Sequence, residues 1–157
     1  ITAKAQKPRN YHAVSLLLPD GRVWTAGGGG CGSCNVNHFD AEIYSPPYLF
    51  KQDGSGLLAE RPLVTDVPSI LTYEETFTLT SPEPSTIQKV ALVGFGSVTH
   101  AFNMNQRYVP LTIVSQEDSS LTINPPDNAN LAPPGYYLLF VIDSEGTPSY
   151  GKIVQVQ

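Results

Sequence analysis

Strand-like segments separated by turn residues run through the whole chain, and this pattern constrains the fold more than any other feature. Residues 11–18 and 22–27 flank Pro19-Asp20-Gly21, an arrangement that predicts a β-hairpin. Turn segments such as SPEPS, SQEDS and SEGTPS separate the later strands, and we find no convincing capped helix. The sequence therefore predicts an all-β fold. The further strands are expected at 41–45, 77–80, 89–93, 107–114, 120–124, 136–143 and 152–156.

The polar segment KQDGSG at 51–56 divides these strands into two groups. The later strands, spaced by roughly 10–20 residues, predict an antiparallel sandwich of the immunoglobulin-like type. The earlier strands are too few to close a sheet alone, so we expect them to finish a larger β structure, such as a propeller. The chain begins at Ile1 and its only methionine is Met104, so we expect that it has lost its start.

Composition excludes some partners. The chain of 157 residues is long enough for one ordinary domain, and its formal net charge is -5. No large Lys/Arg cluster is present, so a nucleic-acid partner is not expected. No apolar run approaches the roughly 18 residues of a membrane span, so no membrane partner is expected either.

The stretch GSVTHAFNMNQRYVPL, residues 96–111, places one of the three histidines between two strands. A loop position suits a ligand or catalytic group, and we expect the flanking Thr99 and Ala101 to leave the His100 ring unobstructed. The alternative is a surface histidine that hydrogen-bonds to Asn103 or Gln106.

Tyr11 and His12 stand side by side at the start of the first predicted strand. Both are possible metal ligands, and a tyrosine can also act as an acid or base. Adjacent residues of a regular strand point to opposite faces, so the pair can share one metal only at a strand end or bend. The alternative is a packed Tyr-His pair. We interpret His38 as structural, held by Asp40 or by the backbone.

The segment Cys31-Gly-Ser-Cys34 follows four glycines. A CxxC can form a redox pair, half a zinc site or a local disulfide. The chain has no second CxxC, which excludes a four-thiolate zinc site within it, and no βαβ pattern indicates a thioredoxin-like role. A structural disulfide of a secreted protein is favoured, with the glycines serving a tight turn.

Several long segments resemble a known family. NYHAVSLLLPDGRVWTAGGGGCGSCNVNHFDAEIYSPPYLF, GSVTHAFNMNQRYVPL, APPGYYLLFVID and GTPS resemble the C-terminal part of galactose oxidase and its fungal alcohol-oxidase relatives. These are copper-radical oxidases, which also include the glyoxal oxidases, and the glycine-cysteine segment is closer to the galactose oxidase branch. The resemblance implies that residues 1–48 end a seven-bladed kelch propeller, 49–60 form a linker and 61–157 form an immunoglobulin-like domain.

The resemblance also implies a site. Tyr11, His12 and His100 would be ligands of one copper ion, Tyr11 would act as the base, and Cys31 and Cys34 would form a disulfide. The tyrosyl-cysteine radical of the family would come from the missing upstream polypeptide. The N-terminal polypeptide of the same oxidase would therefore be the partner, and the protein would be secreted.

The reaction implied is the oxidation of a primary alcohol, a galactose-type sugar or another alcohol, to the aldehyde, with O2 reduced to H2O2. The alternative is a non-catalytic β-sandwich module that binds a surface or a carbohydrate. A zinc hydrolase with metal at two histidines is a third hypothesis, but no carboxylate base stands out near them.

Overall fold

The computed structural model describes residues 3–33 and 36–157, and its regular structure is β apart from two short 3₁₀ turns, Pro47–Leu49 and Pro84–Thr86. The all-β prediction is confirmed. In the described part of the chain, no helix is long and apolar enough to cross a membrane. The strands are β1 Ala13–Leu17, β2 Val23–Gly27, β3 Ala41–Tyr44, β4 Ile70–Leu71, β5 Phe77–Thr80, β6 Ile87–Gly94, β7 Val98–Thr99, β8 Phe102–Asn103, β9 Tyr108–Leu111, β10 Ile113–Gln116, β11 Ser120–Ile123, β12 Gly135–Asp143 and β13 Lys152–Val156.

Two sheets form the predicted sandwich. A five-stranded sheet has the order β4-β13-β12-β6-β9, and a three-stranded sheet has the order β10-β11-β5. Alternate residues of each strand point between the sheets, as the period of two requires. The pairing is antiparallel except between β4 and β13, which run parallel. The fully buried side chains of this core include Leu79, Ile87, Leu92, Leu121, Ile123, Leu139, Val141, Val154 and Val156.

Strand β12 is buried on both faces. Its residues 137–141 are all buried, which explains why YYLLFVID reads as a continuous apolar run rather than an alternating one. One face belongs to the sandwich core. On the other face, Phe140 lies against Gly151 and lines a cleft shared with Leu17 and Gly21 of the N-terminal segment. The N-terminal sheet therefore packs on the outer face of the five-stranded sheet.

The N-terminal sheet has the order β1-β2-β3, and its hairpin turn is fixed by Arg61. The Arg61 guanidinium donates to the carbonyl oxygens of Asp20 (2.7 Å), Pro148 (2.8 Å) and Ser149 (2.6 Å). It also stacks over the ring of Tyr150, 4.1 Å from the ring centroid. One side chain thus joins the turn after β1 to the segment before β13, and sets the position of the whole hairpin.

The predicted strand 107–114 is two strands. Strand β9 pairs with β6 in one sheet and β10 pairs with β11 in the other, so the chain changes sheets near Thr112. Pro110 is tolerated because β9 is an edge strand. The short strands β4, β7 and β8 were not predicted, because two residues carry too little pattern.

The predicted linker at 49–60 is a closed loop in the structure. Phe50 and Leu58 form an antiparallel bridge, and the N–H of Lys51 donates to the carbonyl of Leu57 at 2.9 Å. The glycines at 54 and 56 lie at the tip of this loop with positive φ. The segment is therefore anchored at both ends, and the division of the chain at 48 and 61 stays a prediction.

Candidate metal centre

Tyr11 and His12 lie in a turn just before β1, not within the strand. His12 has a φ of 62°, in the left-handed region that non-glycine residues seldom adopt. The bend brings both rings to the same side, with centroids 3.9 Å apart. The objection that adjacent strand residues point apart therefore does not apply at this position.

Gly29 holds this turn through two backbone groups. Its N–H donates to the carbonyl of Tyr11 at 2.8 Å, and its carbonyl faces Nδ1 of His12 at 3.0 Å. Gly29 has a φ of 110°, and a Cβ there would meet the Asn37 side chain and lie 2.8 Å from the carbonyl oxygen of Val36. The glycine run was predicted to serve a tight turn, and at Gly29 it also orients an imidazole.

His100 lies at the tip of the hairpin β7–β8. Val98 pairs with Asn103 and Thr99 pairs with Phe102, which leaves His100 and Ala101 as a two-residue loop. Their φ values are 53° and 62°, as a type I′ turn requires at both central positions. The N–H of Ala101 donates to the carbonyl of Ala13 at 2.9 Å, so the tip is attached to the start of β1.

The two turns bring the three candidate residues together. Nε2 of His12 and Nε2 of His100 are 3.0 Å apart, and their ring centroids are 4.5 Å apart. The Tyr11 ring lies edge-on to His100, with centroids 5.4 Å apart. Two metal–nitrogen bonds of about 2.0 Å at a right angle separate the nitrogens by about 2.8 Å. The spacing therefore suits two imidazoles that bind one ion.

Thr99, one of the two flanks expected to leave the His100 ring unobstructed, contacts the ring at Nδ1 and leaves Nε2 facing His12. The Thr99 Oγ1 lies 2.7 Å from Nδ1 of His100. Asn103 was the alternative partner of His100, but its side-chain oxygen accepts from the N–H groups of Ser97 and Asn105 instead. Each imidazole thus has a polar group at Nδ1 and presents Nε2 to the other.

Arg9 joins the segment before Tyr11 to strands β2 and β3, and it was not predicted. Its side chain is buried, and Nη1 donates to the carbonyl of Gly27 at 2.9 Å, while Nη2 contacts Glu42 at 3.0 Å and Asp40 at 3.4 Å. The backbone N–H of Gln6, followed by the Arg9 side chain, holds the pKa of Glu42 below its usual value. The only sequence signal for this role of Arg9 was a pair of acidic residues two positions apart at the start of β3, Asp40 and Glu42.

The other predicted candidates lie outside this cluster of rings. The N–H of His38 donates to the carbonyl of Gly28 at 2.9 Å, and Asp40 pairs with Arg9 and Lys7. Cys31 is in the turn after the glycines, whereas Cys34 lies outside the described residues, so the disulfide stays a prediction. Within the described ranges, no group of three or more His, Cys, Asp or Glu gathers; the cluster is two imidazoles and one phenol.

Residues 61–156 match the family model described as galactose oxidase-like, Early set domain. The chain is 42% identical to a galactose oxidase of Gibberella zeae over 148 residues, which are 94% of this chain and 21% of that protein. It is 30% identical to the aldehyde oxidase GLOX of Vitis pseudoreticulata over 169 residues, covering 95% of this chain and 30% of that protein.

Among solved structures, the fold is similar to a chain described as a novel fungal alcohol oxidase with catalytic diversity among the AA5 family, in complex with copper. The TM-score is 0.87 and the identity 33%, over 99% of this chain and 32% of that chain. This chain thus spans 21% to 32% of the length of these three proteins. Because residues 61–156 match the Early set domain model, the chain belongs to the galactose oxidase-like family.

Proposed function

We propose that this chain is the C-terminal portion of a secreted copper-radical oxidase, in which Tyr11, His12 and His100 hold one copper ion. The observation that carries the proposal is the 3.0 Å separation between the two Nε2 atoms, with a phenol beside them. Imidazole and phenol ligands suit Cu(II), which favours tetragonal nitrogen and oxygen sites. The alcohol oxidase of similar fold is described in complex with copper.

The local hydrogen bonds orient both imidazoles with Nε2 toward the other ring. The carbonyl of Gly29 can only accept, so Nδ1 of His12 carries a hydrogen and Nε2 carries a lone pair. Polar partners at the non-ligating nitrogen are the usual support of metal-bound histidines. The donor set present in the chain therefore fits the ion.

Tyr11 is the base in this proposal. The bound copper, together with a tyrosyl-cysteine radical of the upstream polypeptide, supplies the acceptor for the two electrons of the alcohol. The Tyr11 oxygen takes the hydroxyl proton of a primary alcohol, and a nearby cation favours the anionic form that can do so. The aldehyde is the product, and O2 takes up two electrons and two protons to give H2O2.

The upstream polypeptide of the same oxidase is the proposed partner. The Tyr11 ring is 48% exposed, and Phe102 and Met104 near the hairpin tip are 67% and 64% exposed. Phe39, just before β3, is 98% exposed. Exposed apolar groups around a site are typical of a surface that binds another protein. We propose that residues 1–48 complete a kelch propeller with this partner and that 61–157 form the C-terminal domain.

Mass spectrometry with metal counting tests this function. Native and denaturing spectra of the purified protein should reveal a second, larger polypeptide and about one copper ion per complex. Peroxide release with a primary alcohol should follow copper loading. A lone chain of 17.0 kDa that takes up no copper would contradict the proposal and favour the non-catalytic binding module.

A further inference from the structure

Thr99 is next to His100 in the chain, and its hydroxyl meets the ring nitrogen that faces away from His12. Its Oγ1 lies 2.7 Å from Nδ1 of His100. We propose that this hydroxyl is the positioning group for His100: it hydrogen-bonds Nδ1 and so fixes the ring with Nε2 facing His12. The inference rests on the proposed metal site.

The first step concerns His12. A backbone carbonyl accepts and never donates, so the carbonyl of Gly29 keeps the hydrogen of His12 on Nδ1. The Nε2 of His12 then carries a lone pair directed at His100.

The second step concerns the space between the rings. An ion held by both Nε2 atoms, which lie 3.0 Å apart, needs a lone pair on each of them. The hydrogen of a neutral His100 ring then lies on Nδ1, which faces the Thr99 hydroxyl.

The third step concerns orientation. A threonine hydroxyl can accept from Nδ1–H, and this contact fixes the rotation of the imidazole so that Nε2 faces His12.

The hairpin keeps the hydroxyl in place. Thr99 pairs with Phe102 across a tight loop, and the β-branched side chain of threonine has few rotamers. The N–H of Ala101 joins the same loop to Ala13. The hydroxyl is therefore held against Nδ1 by the backbone on both sides of His100.

The experiment uses the complete oxidase, stripped of copper and reloaded, with Thr99→Val and Thr99→Ser. Valine keeps the shape and removes the hydroxyl, whereas serine keeps the hydroxyl. Copper affinity is measured by competition with a chelator, and pulsed EPR records the quadrupole coupling of the remote imidazole nitrogens. We expect Thr99→Val to weaken copper binding about 10–100-fold and to shift one of two remote-nitrogen signals, and Thr99→Ser to restore both.

Thr78→Val is the matched control, because Thr78 is an exposed strand threonine on β5, away from the site. Wild-type affinity and spectra in Thr99→Val, or equal losses in the valine and serine variants, would overturn the inference. If Thr99→Val does not fold, Thr99→Ala replaces it under the same criteria. His12→Ala and His100→Ala separate the two proposals: copper binding that survives both would overturn the proposed metal site itself.

Discussion

Nε2 of His12 and Nε2 of His100 lie 3.0 Å apart although 88 positions separate the residues in the chain. Both residues have positive φ, 62° and 53°. Left-handed backbone costs a non-glycine residue roughly 1–2 kcal/mol, so two such residues persist only where their surroundings stabilise them. Here the hydrogen bonds of Gly29 and Ala101 provide that stabilisation.

Tyr11→Phe should leave copper bound and reduce turnover in the complete oxidase. The two imidazoles remain, whereas the oxygen that takes the alcohol proton is lost. Loss of a general base typically reduces the rate by about 10²–10⁴-fold. Peroxide release and copper content are measured together, with the exposed Tyr108→Phe as the control. Wild-type turnover in Tyr11→Phe would remove Tyr11 as the base.

Gly29→Ala should weaken both folding and copper binding. The new Cβ would lie 2.8 Å from the carbonyl of Val36, and alanine disfavours a φ of 110°, so the carbonyl that orients His12 would move. Gly54→Ala is the control, because Gly54 also has positive φ but nothing within 4 Å of its Cβ. Thermal melting and copper affinity are measured; equal effects of the two substitutions would contradict the role of Gly29.

Arg61→Lys should lower the free energy of unfolding by about 1–3 kcal/mol. Lysine keeps the charge but cannot reach three carbonyls in the fixed geometry of a guanidinium, and it loses the stacking on Tyr150. Urea denaturation measures the loss. Arg22→Lys, at a half-buried arginine of the same hairpin that pairs with the single carboxylate of Asp20, is the control and should cost less than Arg61→Lys.

Ala101→Gly should leave stability unchanged or raise it by about 0.5 kcal/mol, since glycine adopts a φ of 62° without strain but is freer in the unfolded chain. The N–H that donates to Ala13 remains. Ala41→Gly, on the exposed strand β3, should lower stability by about 0.5–1 kcal/mol. Melting temperatures that fall equally in both variants would refute the strain at the hairpin tip.

Protonation of Asp20 should make the fold less stable in acid. Burial alone would raise its pKa, but hydrogen bonds from the side chain and backbone of Arg22 hold the pKa below the ordinary value of 3.8. A carboxylate with a lowered pKa contributes stability above its ordinary value, and that contribution is lost as the pH falls through the folded pKa. Asp20→Asn should therefore destabilise the protein at pH 6, and the difference from the wild type should shrink as the pH falls below the ordinary value of 3.8 and through the lower folded pKa.

The measurement for Asp20 is denaturant unfolding across this pH range. Asp118→Asn, in the exposed turn between β10 and β11, is the control for a general change in net charge. A difference between wild type and Asp20→Asn that stays constant from pH 6 to the lowest pH at which the protein is folded would contradict the assigned cause.

The sequence by itself determined the all-β class, the PDG hairpin and most strands of the sandwich, because a period of two and turn residues are local properties. The motif resemblance also singled out Tyr11, His12 and His100. In the structure, the Nε2 atoms of the two histidines lie 3.0 Å apart. Only the tertiary structure decided the bend at His12, the type I′ loop at His100 and the groups at each Nδ1. These features depend on backbone angles and on contacts between distant segments, which no local pattern encodes.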